Sequence, residues 1–486
     1  MDNDYEGTNA GRCHRANFKD APAIQAMETA MTQWQLTLRD TGKPRYIEIA
    51  ETIHADIEAG TLKPGDRLPS QRKVAQQVGV DFTTVSRGYA EAVKRGYIES
   101  FVGRGTFVRE LSEEREAPDP RRAVEEDPMM NMPPEPDDPD LIAQMEQGLR
   151  HVSANLVPLL RYQSVTGSLQ DREIAGRWMA ENGFEVAPEQ LAITPGAHAS
   201  VHAVLSHLSE SGPTVLCEAV TYPGIRAIAA QLGVHLIGVE MDAHGILPDA
   251  LDRAIGTHWP SAVYLNPTLQ NPGTYTMPAD RREQVADILR RHEIPLIEDD
   301  ACCFVASDAP LPISRLIPDL GWHIAGLSKC FGAGLRLALT TVPEGQAKGR
   351  FAQVLQASNV MTSPISAALM SRWVEDGTAR ALQSFVRQAA AQRQALARDL
   401  LKGCDIRGQD EAFNVWLTLP QGTSRAEVMG RMANRQIGLM PSDAFTVMGS
   451  PAEAMRVCLG GPITKTQLAE DLTELRDAVL NKVWVG

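Results

Sequence analysis

No stretch of the 486 residues approaches the ~20 consecutive apolar residues that a membrane-spanning helix needs, which excludes a helical spanning protein. Residues 1–30 carry Asp2, Asp4, Glu6, Arg12, Arg15, Lys19 and Asp20 with no apolar run, so no secretory signal is expected. Cysteine is sparse: seven residues, at 13, 217, 302, 303, 330, 404 and 458, with no CxxC spacing. A disulfide scaffold is excluded, no metal site is expected, and reduced thiols in a cytoplasmic protein are the natural reading. No internal repeat is visible. Excess positive charge is missing as well: 47 basic residues stand against 61 acidic ones, for a net charge of −14.

The charge that is present is unevenly placed. Residues 31–110 hold twelve Lys/Arg and ten Asp/Glu, a balance of +2, which leaves −16 on the remainder. So acidic a chain repels nucleic acid as a whole, and any DNA contact must come from a local surface. The near-neutral segment is the place to look. With 43% apolar and 22% charged residues the composition is that of a globular protein, and the length suggests two or three domains.

Residues 111–140 contain seven prolines and eleven acids. Proline denies a continuous helix and the acids repel one another, so an extended, semi-rigid tether is expected. It separates a small module, 31–110, from a large one, 141–486. Residues 1–30 read as a disordered tail, and Met27 or Met31 stands as an alternative start.

In the small module, Ile47, Ile49, Ile53 and Ile57 share one helical face, and Gly60 stops that helix. Ser70 caps a helix over 71–77, Gly79 permits a tight turn, and Asp81 or Thr83 caps a helix over 84–95. Segments 97–101 and 106–109 flank Val102-Gly103-Arg104-Gly105 as a hairpin. The sum is a winged helix–turn–helix. The run LPSQRKVAQQVGVDFTTVSRGYAEAVKRGYIESFVGRGTFV resembles the GntR-type DNA-binding domain. That resemblance implies DNA contacts from Arg72, Thr83, Thr84, Arg87 and Arg104. Phe82 and Ser86 stand where many members have arginine.

The large module alternates short β-branched runs with helical patterns, which predicts a three-layer α/β/α domain with a mainly parallel sheet. Strands are expected over 214–218, 236–240, 262–265, 295–298, 323–326 and 338–342, and helices over 199–209, 279–291 and 346–357. Polar ligands of such sheets bind at the carboxyl ends of the strands. There the sequence carries what a pyridoxal 5'-phosphate site requires: a lysine, an acid for the ring nitrogen, phosphate donors and a flat side chain. The candidates are Lys329 in Ser328-Lys-Cys-Phe-Gly-Ala-Gly-Leu-Arg336, the acid pair Asp299-Asp300, Gly196 and Ala197, Tyr222, and Asn271.

These motifs resemble fold-type I, class I/II aminotransferases. The resemblance implies Lys329 for the internal aldimine, Asp299 rather than Asp300 for the pyridine nitrogen, and Asn271 for the 3′-oxygen. It implies Gly196, Ala197 and Arg336 for the phosphate and Tyr222 for stacking. Tyr162 matches a tyrosine that reaches the neighbouring subunit's phosphate, and Arg456 an arginine that binds an effector α-carboxylate. One departure stands out. Relatives carry a tyrosine after the acid pair where this chain has Ala301 or Cys302.

Both modules in this order resemble the MocR/GabR family of transcription regulators. The family implies a head-to-tail homodimer that binds double-stranded operator DNA and pyridoxal phosphate. Such a dimer senses a small amino compound through external aldimine formation at Lys329. A regulator rather than an enzyme is expected; a working aminotransferase that also binds DNA is the alternative.

Overall fold

Ile49, Ala50 and Ile53 are fully buried on one face of the first helix, α1 (Arg45–Glu58), as the spacing of its isoleucines predicts. Helix α2 (Gln71–Val78) starts where Ser70 Oγ accepts the Lys73 amide at 3.4 Å, and it stops at Gly79 in the left-handed region. Helix α3 (Phe82–Lys94) begins two residues earlier than the sequence suggests. Asp81 takes the cap, accepting the Thr84 amide at 3.0 Å and the Thr84 hydroxyl at 2.6 Å. Strands β1 (Ile98–Phe101) and β2 (Gly105–Val108) pair antiparallel, with Ile98 opposite Val108. Trp34, Leu36, Val74, Val85, Tyr89, Ile98 and Val108 close one core around these elements.

The computed structural model describes residues 34–38, 43–63, 65–95, 97–101, 105–108, 127–346 and 348–481. The expected tail 1–30, residues 111–126 of the expected tether, and Arg104 lie outside them. The chain divides into two units, 1–124 and 125–486. No helix among the described residues is long and apolar enough to cross a membrane.

The large unit is built on seven strands. Their order across the sheet is Leu191–Thr194, Ala338–Thr341, Gly321–Gly326, Leu296–Asp300, Ala262–Leu265, Thr214–Glu218 and His235–Val239. Only Ala338–Thr341 runs antiparallel to its neighbours. The pleat sends Val215, Cys217, Ala262 and Tyr264 to one face, under the helices Ala197–Leu208 and Lys348–Asn359. Leu216, Val263 and Leu265 face the other way, against Pro248–His258 and Ala279–His292. Near-continuous apolar strands follow from this double covering.

Two features depart from the reading of the sequence. A second, antiparallel sheet of four strands joins Asp405–Arg407, Asn414–Thr418, Ala454–Cys458 and Leu439–Pro441. Its strands are three to five residues long and interrupted by polar positions, so they carry little periodic signal. Residues 127–138, which composition assigns to the tether, lie against the large unit instead. Pro134 bridges to Gly461, and the Gly461 amide donates to the Pro133 carbonyl at 3.0 Å. Extended, proline-rich backbone keeps its carbonyls free to accept such bonds.

Gly88 marks the closest point of α1 and α3. A Cβ there would lie 2.7 Å from an Ile49 side-chain carbon. Gly88→Ala should therefore overpack this core and destabilise the small unit by about 1–3 kcal/mol. Calorimetry of the full chain should show the small unit's transition lowered and that of the large unit unmoved.

Candidate functional site

Three consecutive acids end the strand Leu296–Asp300, and the pleat sorts them by face. Glu298 is fully buried, pairs with Arg282 at 3.6 Å and accepts the amides of Ile313 and Ser314. Asp300 meets His323 through Oδ2 at 3.2 Å, and its Oδ1 is buried without a hydrogen-bond partner. Asp299, between them, faces the other way. Its Oδ2 accepts the Tyr264 hydroxyl at 2.7 Å, and its Oδ1 is buried with no hydrogen-bond partner. Burial pushes the Asp299 carboxyl up to about 6, against the Tyr264 bond and the Lys329 charge, which lower it.

Lys329 follows the strand Gly321–Gly326, beside Leu296–Asp300 in the sheet. Burial lowers its ammonium below the ordinary lysine range, and the Arg456 charge acts in the same direction. Cys302 and Lys329 influence each other electrostatically. Burial raises the Cys302 thiol to about 12 while the Lys329 charge opposes that rise, so the thiol stays protonated at neutral pH. Ala301 faces Gly326, whose Cβ would lie 3.2 Å from the Ala301 Cα.

The rest of the site converges from other strand ends. Gly196, with φ of 95°, opens the helix Ala197–Leu208. A Cβ on Gly196 would sit 3.2 Å from the Arg336 guanidinium, so this glycine lets Arg336 close on the helix N-terminus. The Gly196 N–H itself donates to the Thr194 carbonyl at 2.7 Å. The first-turn amides from Ala197 onward are thus the ones directed at an anion. Burial raises the Tyr222 phenol and the Asp299 charge adds to the rise, while Arg336 and Arg456 oppose it, so its hydroxyl feels all three charges.

Arg456 comes from the antiparallel sheet, 2% exposed, and donates to Asn271 Oδ1 at 2.9 Å. Its guanidinium lies 5.2 Å from the centre of the Phe445 ring. Asn266 orders the loop beneath: its Oδ1 accepts the Asn271 amide at 2.7 Å and its Nδ2 donates to the Asp299 carbonyl. Glu218, which burial raises to about 7, accepts the hydroxyls of Thr221 and Tyr275 at 2.8 Å each.

Of the residues singled out in the large unit, Gly196, Ala197, Tyr222, Asn271, Asp299, Lys329, Arg336 and Arg456 come together. Tyr162 does not; its side chain is 87% exposed. Tyr264 and Asn266, which bond Asp299 and the Asn271 amide, lie in the same cluster and were not singled out from the sequence. A tyrosine inside the aliphatic strand Ala262–Leu265 is a signal that could have found the first, because a buried hydroxyl needs a partner. In the small unit Arg72 and Arg87 are exposed, with Arg87 over the Tyr46 ring at 4.4 Å. The hydroxyls of Thr83 and Thr84 donate to Asp81.

The family of bacterial regulatory proteins, gntR type, matches residues 45–108. Aminotransferase class I and II matches residues 134–473. An uncharacterized HTH-type transcriptional regulator of Bacillus subtilis, YdeF, is 28% identical over 93% of this chain and 98% of its own length. The probable rhizopine catabolism regulatory protein MocR of Rhizobium meliloti is 24% identical over 81% and 83%. The chain belongs to the aminotransferase class I and II family, with a gntR-type domain ahead of it. Its large unit has the aminotransferase fold. LysN, the alpha-aminoadipate aminotransferase of Thermus thermophilus, superposes with a TM-score of 0.64 over 72% of this chain and 90% of that one, at 22% identity.

Burial of Asp299 has a measurable consequence. Its folded-state pKa of about 6 lies above the ordinary 3.8, so the native state holds the extra proton between those values. Stability therefore falls as pH rises through that window. Asp299→Asn, which keeps an acceptor for Tyr264, should stabilise the cofactor-free large unit by up to about 3 kcal/mol at pH 8. Below pH 3.8 it should change little, as urea unfolding at the two pH values would show.

Proposed function

We propose that the protein is a pyridoxal phosphate-dependent transcription regulator, a homodimer that binds operator DNA and senses a small amino compound at Lys329. The observation that carries this reading is the bare, buried Oδ1 of Asp299 in one cluster with Lys329, on a chain that also carries a winged helix. Such an acceptor suits a protonated ring nitrogen. The cradle of Gly196, the Ala197 helix N-terminus and Arg336 suits a phosphate, and Tyr222 supplies the flat face. When bound, the cofactor supplies an electrophilic carbon for which Lys329 and an incoming amine compete.

The chain's own groups favour capture. Burial keeps the Lys329 amine below the ordinary lysine range and so more of it unprotonated and nucleophilic. Asn271 is directed at the 3′-oxygen, and Arg456 at the carboxylate of the ligand, where its planar fork gives a two-bond fit. The exposed Tyr162 fits a residue completed by a second subunit in a head-to-tail dimer. On the DNA side Arg72 and Arg87 are exposed beside the α3 N-terminus, and Thr83 and Thr84 cap it through Asp81. Arg104, in the wing, completes the proposed DNA-contacting set. The six described cysteines are free, in keeping with a cytoplasmic protein.

The retained pair of Lys329 and Asp299 also favours a second reading, a working aminotransferase that binds DNA. Against it stands the pair Ala301-Cys302 where relatives carry a tyrosine. An alanine has no donor, and a thiol held protonated is a weak donor and a poor proton relay compared with a phenol. The site then captures an amine and moves its protons slowly, which serves sensing better than turnover.

Two measurements test this. Lys329→Ala should lose both the cofactor's bound absorbance and every response of DNA binding to amino compounds, while DNA binding itself persists. A full response in that variant would overturn the sensing role. Of Ala301→Tyr and Cys302→Tyr, the one that places the phenol correctly should raise amino transfer from a donor amino acid to pyruvate about tenfold or more. Rapid multiple turnover by the wild type would favour the enzyme.

A further inference from the structure

The stretch Asp127–Pro134 crosses the site as a strap. The Met129 carbonyl accepts from the Arg456 guanidinium and lies 3.8 Å from Cys458 Sγ. The Asn131 carbonyl accepts from Lys329 Nζ, and the Asn131 side chain donates to Asn414 Oδ1 at 3.0 Å. Two backbone oxygens thus engage the two cations on which a bound amino acid depends.

The large unit makes room for this backbone in two places. A Cβ on Gly438 would fall 1.6 Å from the Pro128 carbonyl oxygen, and one on Gly460 would fall 1.7 Å from that of Met132. Neither glycine has a positive φ, so neither needs to be glycine for its own conformation. The strap is what excludes a side chain at both. Little apolar burial holds it down, however. Met129 is 44% exposed and Met130 56%, which leaves the polar anchors and the partly buried 131–134 end to keep it in place.

We propose that residues 127–133 are an internal competitor for the effector site, docked through their carbonyls on Arg456 and Lys329 and released when the carboxylate of an amino-acid ligand takes Arg456. The proposal rests on the reading of these two residues given above. A neutral carbonyl makes one bond to a guanidinium, whereas a carboxylate makes a charge-assisted pair roughly twice as strong per bond, so the ligand wins at Arg456. Lys329 is claimed by the cofactor and set free again by an incoming amine, so the Met129 carbonyl on Arg456 is the anchor that the ligand must break. The effector class follows: a compound with a carboxylate beside its amino group displaces that anchor, and a simple amine does not. Release returns up to seven residues to the tether leading from the winged helix, each worth about 3.3 Å of reach.

Thermolysin cleaves before methionine in flexible backbone, so nicking between residues 128 and 133 of the full chain reports the released strap. N-(5'-phosphopyridoxyl)-L-leucine should raise the nicking rate about tenfold or more, while pyridoxal phosphate and pyridoxamine phosphate leave it low. An unchanged rate with the leucine adduct demonstrably bound would overturn the proposal. If none of the three compounds binds, the cofactor reading fails, and the docking is still decided by variants without ligand. Gly438→Ala and Gly460→Ala should each raise nicking about tenfold by displacing the strap. Unchanged nicking in both folded variants would overturn the docking itself. If neither folds, the wild-type comparison decides.

Discussion

A carboxylate shut away from water with one partner and one bare oxygen is the constraint around which the large unit is arranged. Desolvation opposes the charge of Asp299 there, so a positive group that meets its bare oxygen is favoured. Its two neighbours are placed differently. Glu298 is committed to Arg282 and two backbone amides, and Asp300, which also keeps a bare buried Oδ1, meets His323 through Oδ2. The alternation of the strand turns Asp299 to the face opposite both. Tyr264, one strand away, then sets which oxygen of Asp299 remains free.

The positive side of the site is distributed differently. Lys329 and Arg336 come from the parallel sheet and the turn after it, whereas Arg456 is delivered by the separate antiparallel sheet. Asn271 joins the two through its bond to Arg456, and Asn266 fixes the loop that holds Asn271. A site assembled across two sheets responds to whatever lies between them, and here that is the strap of residues 127–133. Its neutral carbonyls partner cations that would otherwise be desolvated and unsatisfied. The same bonds can yield to a better acceptor.

Much of this was legible in the chain. The isoleucine spacing of α1, the caps Ser70 and Asp81 and the glycines of the turns specify the winged helix locally, and each acts where the sequence places it. The strands Thr214–Glu218 and Ala262–Leu265 were readable because both faces are buried and their residues are uniformly apolar or β-branched. Lys329, Asp299, Asn271 and Arg336 were identifiable from motifs whose chemistry has few alternatives.

Composition alone determined that the chain has two modules and that its DNA-binding surface must be local. What only the tertiary structure decided depends on pairings between distant residues. No local pattern shows that Tyr264 bonds Asp299 or that Arg456 meets Asn271 across 185 positions. The strap is the clearest case. Its proline and acid content reads as a free tether, because composition reports what a segment can do by itself. Whether its carbonyls find donors depends on Arg456, Lys329 and Gly461, which reach it only once both sheets have formed.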